Sequence, residues 1–139
     1  MMSLRSLPLM IIPFIIYNIL AYTFSGTEAD AVFRDRLFDL PLGGGRKWTF
    51  SKGDLVMLLV MLCLFFELIK STWTGSSSLI DHGLSMLVFI FCLIEFILVP
   101  RAATSVFFFI MVAALIDVIA GYTIGIRVAR RDVSFGGDA

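Results

Sequence analysis

Glu67, Lys70, Asp81, His82, Glu95 and Asp117 all stand inside or at the margins of long apolar runs, and that placement is what calls for chemistry. On insertion scales an ionisable side chain at the centre of a bilayer costs at least ~2.5 kcal/mol, so each one needs a partner or a task. Three tasks fit these residue types. Carboxylates, an ammonium, an imidazole and hydroxyls can satisfy one another and pin helices together, since hydrocarbon offers no water to do so. The same carboxylates can hold and release a proton or a cation. A metal or haem site is the third, but His82 is the single histidine and Cys63 and Cys92 form no CxxC pair. That donor set is too thin for zinc, haem or an iron–sulfur cluster, so no metal site and no cofactor are expected. Catalytic signatures are also missing from the sequence: there is no HExxH, no GxSxG and no GxGxxG, and the Gly43-Gly44-Gly45 run lacks the GK[ST] of a phosphate loop. The sequence predicts no enzyme and no catalytic residue.

The elements that carry these residues follow from composition. Of 139 residues 59% are hydrophobic and 16% charged, with 14 Phe and a mean hydropathy of +0.96, a balance far from that of water-soluble domains. Formal net charge is zero, so nucleic acid has no electrostatic footprint here. Four apolar runs, about 7–24, 55–72, 79–99 and 102–126, each approach the roughly 20 residues needed to cross ~30 Å of hydrocarbon. The fold class expected is therefore all-α, a polytopic membrane protein with a four-transmembrane-helix bundle in a single domain over 1–139. The first run, preceded by Arg5 and followed by Ala29-Asp30-Ala31, also has the look of a secretory signal, but Glu28 and Asp30 at the would-be cleavage region favour a retained span. Pro8 suits a first turn, and Pro13 is expected to kink the middle of that span.

Between the first two runs, Ala29, Phe33, Leu37 and Leu40 recur at spacings of four, four and three, with Asp30, Arg34, Asp35, Arg36 and Asp39 between them. That pattern predicts a short amphipathic helix over about 28–40, lying in the membrane interface and stopped by Pro41 and the three glycines. Thr27 with Asp30, and Ser78 with Asp81, have capping-box spacing.

Depth, counted at 1.5 Å per residue, groups the polar residues. Glu67 falls roughly 7 Å inside the face that holds the N-terminus, and Asp117, about 20 Å from the other face, lies in the same half. Glu67, Lys70, Asp81, His82, Ser85 and Asp117 thus form one expected buried polar layer, either structural or serving a proton or cation. Rotation at 100° per residue aligns Asp81, Ser85, Cys92 and Glu95 along one seam and sets Glu67 beside Lys70 at i, i+3. Asn18 and Glu95 have compatible depths nearer the opposite face and form a second expected polar site. In the last run Ala113, Asp117, Gly121 and Gly125 recur every fourth residue, a small-residue stripe suited to close helix packing.

Lys and Arg divide almost evenly between the two faces, and the dense Arg127, Arg130, Arg131 cluster inclines the reading toward both termini in the cytoplasm of a bacterial inner membrane. The function expected is a non-enzymatic accessory or scaffold subunit. Its partners would be the lipid bilayer and either further copies of itself or other membrane proteins, reached through the small-residue stripe. The alternative is a small proton- or cation-coupled transporter or channel using the buried carboxylates.

Overall fold

The computed structural model describes residues 7–23, 28–73 and 78–135. Among these residues five helices, α1 (Ile11–Thr23), α2 (Ala29–Arg34), α3 (Lys52–Trp73), α4 (Ser78–Leu98) and α5 (Ser105–Phe135), accompany one two-stranded sheet, β1 (Arg36–Pro41) and β2 (Lys47–Ser51). The segments Lys52–Thr72, Ile80–Leu98 and Ser105–Arg127 are long and apolar enough to cross a membrane, and α1 is a shorter apolar helix of 13 residues. The chain is consistent with an integral membrane protein. Its helices carry large apolar side chains on their outer faces, among them Met61, Phe65, Phe91, Ile97 and Ile119. Such exposure suits hydrocarbon and would be untenable in water on this scale.

Each helix turns a narrow stripe inward. Val56, Val60, Cys63, Glu67 and Ser71 are buried on α3, Asp81, Ser85, Val88 and Cys92 on α4, and Phe107, Ile110, Ala114, Asp117, Val118 and Gly121 on α5. These spacings of three and four are the helical repeat, here with the polar residues on the inside. Helix α5 lies between α3 and α4, packing against both, and α1 packs on α3 and α5. The α4–α5 connection is a 3-10 turn over Pro100–Ala102.

Several expected boundaries change. The last helix starts at Ser105 rather than 102, because Pro100–Ala102 forms the turn and Thr104 caps α5, its Oγ1 accepting from the N–H of Phe107 at 3.2 Å. It also runs on to Phe135, past the end of the apolar stretch. The first helix starts at Ile11, which puts Pro13 in the first turn, where its missing N–H costs no helical hydrogen bond and no mid-helix kink is called for. Helix α3 begins at Lys52 because Ser51 and Asp54 cap each other: Ser51 N donates to Asp54 Oδ2 at 2.8 Å and Asp54 N to Ser51 Oγ at 3.2 Å.

The larger correction concerns the expected interfacial helix over 28–40. Only Ala29–Arg34 is helical, and residues 36–51 form an antiparallel hairpin, so the chain is mostly helical rather than all-α. Cross-strand pairing outcompetes the helical repeat here. Phe38 sits opposite Phe50 and Leu40 opposite Trp48, with the Phe38 and Phe50 rings stacked at 4.9 Å and Trp48 edge-on to Phe50 at 5.5 Å. Gly44 and Gly45 take φ of 76° and 73°, the left-handed region that the turn requires. At the hairpin's base, Lys52 N donates to Asp35 O at 2.9 Å and the Lys52 ammonium lies 2.6 Å from the Asp35 carboxylate. Hydrogen bonding and charge from Lys52 hold Asp35 below the usual carboxylate range. Of the expected pattern Ala29 and Phe33 are buried, with Val32 beside them, and Phe33 stacks on Tyr17 at 4.4 Å, while Leu37 and Leu40 are exposed on the hairpin. Gly53 lets the Phe33 backbone lie against the start of α3, since a Cβ there would be 2.9 Å from the Phe33 carbonyl.

Candidate functional site

Glu67, Lys70, Ser71, Asp81, His82, Ser85 and Asp117 line one small cavity among α3, α4 and α5. Six of them are the residues grouped by depth. Ser71 is the addition, buried on α3 with its hydroxyl donating to the Glu67 carbonyl at 2.9 Å. The four-residue spacing from Glu67 was the available signal for it. The cavity encloses about 10 Å³, close to the space one water-sized particle occupies.

The polar groups around it divide into engaged and unengaged. Lys70 Nζ donates to Glu67 Oε1 at 2.9 Å and to the backbone carbonyl of Leu7 at 3.0 Å, while Glu67 Oε2 accepts from the backbone N–H of Leu9 at 2.9 Å. One side-chain pair on α3 therefore grips both a carbonyl and an amide of the segment leading into α1. Leu9 sits where a helix start leaves its N–H without an internal acceptor, so Glu67 supplies what the helix cannot. Asp117 is hydrogen-bonded to Ser85. Its second oxygen, Oδ2, and Asp81 Oδ1 have no hydrogen-bond partner among the described residues, although the two residues are only 2% and 8% exposed.

His82 is placed by a glycine. Its ring covers Gly121 so closely that a Cβ there would lie 2.5 Å from Nδ1, and it tilts against Tyr122 with centroids 5.3 Å apart. Gly121 and Ala113 are therefore buried within this chain's own bundle, and the close neighbour that Gly121 admits is His82 of α4. Gly125 is half-buried. The partner-seeking role expected of the stripe is thus occupied, at Gly121, by an internal contact.

The second polar site lies toward the α4–α5 turn. Asn18 Nδ2 donates to Glu95 Oε2 and to the Phe14 carbonyl, each at 3.2 Å. Below it runs a second chain of hydrogen bonds, whose Thr104 and Arg101 have depths compatible with Glu95 by residue count and whose Tyr17 the sequence did not single out. The Phe107 N–H donates to Thr104 Oγ1, the Thr104 and Tyr17 hydroxyls meet at 2.7 Å, and Tyr17 Oη donates to the Arg101 carbonyl at 2.7 Å. Arg101 itself donates to the Ala21 carbonyl near the end of α1, and its guanidinium lies over the Tyr22 ring at 5.3 Å. A carboxylate from α3 thus meets the start of α1 and a guanidinium from the α4–α5 turn meets its end, the arrangement the helix dipole favours at each terminus.

Comparison of the chain with protein-family models, with curated proteins and with solved structures returns no match. The geometry alone therefore bears on function.

Proposed function

We propose that the chain is a non-enzymatic integral membrane protein, a four-span module serving as an accessory or scaffold subunit. What carries this reading is the use made of the polar residues: Glu67, Lys70, Arg101, Tyr17 and Asn18 are engaged in fastening α1 to the other helices. From Leu7 to Thr23 the chain covers roughly 25 Å at helical rise, near the hydrocarbon thickness, and its two ends are held at opposite ends of the bundle. Helix α1 then acts as a fourth span, with both termini on one face and the hairpin on the other. The exposed apolar faces would meet lipid and the helices of further copies or of other membrane proteins. Arg127 and Arg130 at the α5 end support a cytoplasmic tail in a bacterial inner membrane.

The small proton- or cation-coupled transporter stays as the second reading because Asp81 and Asp117 each keep an oxygen without a partner among the described residues. Against transport, a cavity of about 10 Å³ leaves no room for an organic substrate. Reconstituted vesicles separate the two. The scaffold reading expects an imposed pH or Na⁺ gradient to decay no faster than in empty vesicles, and co-migrating protein on mild extraction from native membranes. Gradient collapse that disappears in Asp117→Asn would replace it with the transporter.

A further inference from the structure

Three carboxylates, Glu67, Asp81 and Asp117, surround the cavity with one ammonium, Lys70. Lys70 is already committed to Glu67 and to the Leu7 carbonyl. What remains is two acidic residues on facing helices, each nine-tenths buried or more, each keeping one oxygen without a donor among the described residues, on a space that fits one small particle. Buried carboxylate oxygens do not stay unsatisfied at low cost, and a facing pair of them in hydrocarbon takes up either a proton or a cation. We infer that the cavity among α3, α4 and α5 binds a single monovalent metal cation, sodium in size, between Asp81 Oδ1 and Asp117 Oδ2.

The surroundings fit a unit charge. From α3 Glu67 and Lys70 face the space, from α4 Asp81 and His82, and from α5 Asp117, while among the described residues the segment entering α1 brings the backbone of Leu7 and Leu9 to Lys70 and Glu67. Ser71 and Ser85 bring hydroxyl oxygens to the lining, the hard neutral donors that sodium accepts alongside carboxylates. Among the described residues no group of three or more His, Cys, Asp or Glu is arranged to hold a metal ion, and Lys70 in the same lining opposes a second positive charge. A divalent occupant is disfavoured on both counts. Gly121 matters indirectly, because it lets the His82 ring close the α4–α5 side. The cation is bound whether the chain is a scaffold or a carrier, so binding is tested apart from transport.

The experiment is thermal unfolding of the full-length protein in detergent, first across a series of NaCl replaced by choline chloride at constant ionic strength, then across pH without sodium. A ligand that binds only the folded state raises the midpoint with the logarithm of its concentration. A rise with Na⁺ that vanishes in Asp117→Asn and persists in Glu95→Gln identifies sodium. A rise on acidification with the same variant pattern, indifferent to Na⁺, is what protonation of the aspartates alone produces and overturns the inference. Should Asp117→Asn fail to fold, Asp81→Asn carries the same comparison, and sodium-23 line broadening by the wild-type protein, relieved by acidification, reads the site with no substitution. A midpoint flat in both series, as a neutral water would leave it, or responses shared equally by wild type and the aspartate variants, overturns the inference.

Discussion

The two polar regions of this bundle are built from similar residues and end differently. Toward the α4–α5 turn, Phe107 N–H, Thr104, Tyr17 and the Arg101 carbonyl form a chain in which each donor reaches an acceptor, and Asn18 closes on Glu95. Around the α3–α4–α5 cavity, Glu67 and Lys70 are equally complete, yet Asp81 and Asp117 each retain an oxygen without a partner among the described residues. A finished network holds helices in register and asks for nothing further. An unfinished one, with Asp81 and Asp117 buried more deeply than Asn18, Glu95 and Arg101, marks a place where something else belongs. The difference separates what α1 needs for attachment from what the cavity adds.

Breaking the finished contacts at the α1 start should have the largest effect. Glu67→Leu takes the carboxylate from the half-buried Lys70 ammonium and the acceptor from the Leu9 amide together. Breaking a fully buried ion pair costs on the order of 3–5 kcal/mol, and with Lys70 partly open and still held by the Leu7 carbonyl about 3 kcal/mol is expected. Chemical unfolding in micelles should show it, and a cost no larger than that of an exposed site would mean that the pair faces water. Next is Gly121→Ala, which drives a methyl group into the His82 ring and should cost about 1–3 kcal/mol as overpacking. The double variant Gly121→Ala, His82→Ala should recover much of that loss, whereas additive losses would show that the two residues do not touch.

At the opposite end, Tyr17→Phe removes one hydroxyl from the chain and should cost roughly 1 kcal/mol. Asn18→Leu should cost less, near the ~0.6 kcal/mol average for hydrogen bonds between membrane helices. The ranking Glu67 above Tyr17 above Asn18 sharpens the comparison, and a reversed order would move the main anchor of α1 to the Arg101 end.

The smallest effect is electrostatic and lies outside the membrane-spanning helices. Asp35 is held below its ordinary pKa by Lys52, so its folded value is lower than its unfolded value of about 3.9. The stabilisation is therefore present above that unfolded value and is lost as pH falls through the folded one. Trp48 emission should report loosening of the hairpin in that acidic window, and Lys52→Met should remove the pH dependence.

Much of this arrangement was legible in the sequence. The runs behind α3, α4 and α5 were visible because lipid-facing helices are apolar on nearly every side, and counting 1.5 Å per residue brought residues from three helices to one depth. The hairpin was not legible from a search for helical spacing. Phe33, Leu37 and Leu40 fit that repeat, but the partners that decide the matter, Trp48 and Phe50, lie beyond the turn. The three glycines between two runs rich in aromatic residues were the signal for it. The grip of Glu67 and Lys70 on Leu7 and Leu9 left no trace at all, because a backbone amide or carbonyl looks the same at every position.

The most direct measurement tracks α1 itself. Single cysteines at Leu7 and Tyr22, the two ends of that segment, can be labelled in intact membranes with a reagent that cannot cross them, against the low background of the buried Cys63 and Cys92. Cysteine at Leu7 should react from the same side as one at Arg130, and cysteine at Tyr22 from the opposite side, together with one at Lys47 in the hairpin. Reaction of Leu7 and Tyr22 from one side would contradict the picture of α1 as a fourth span clamped at both ends.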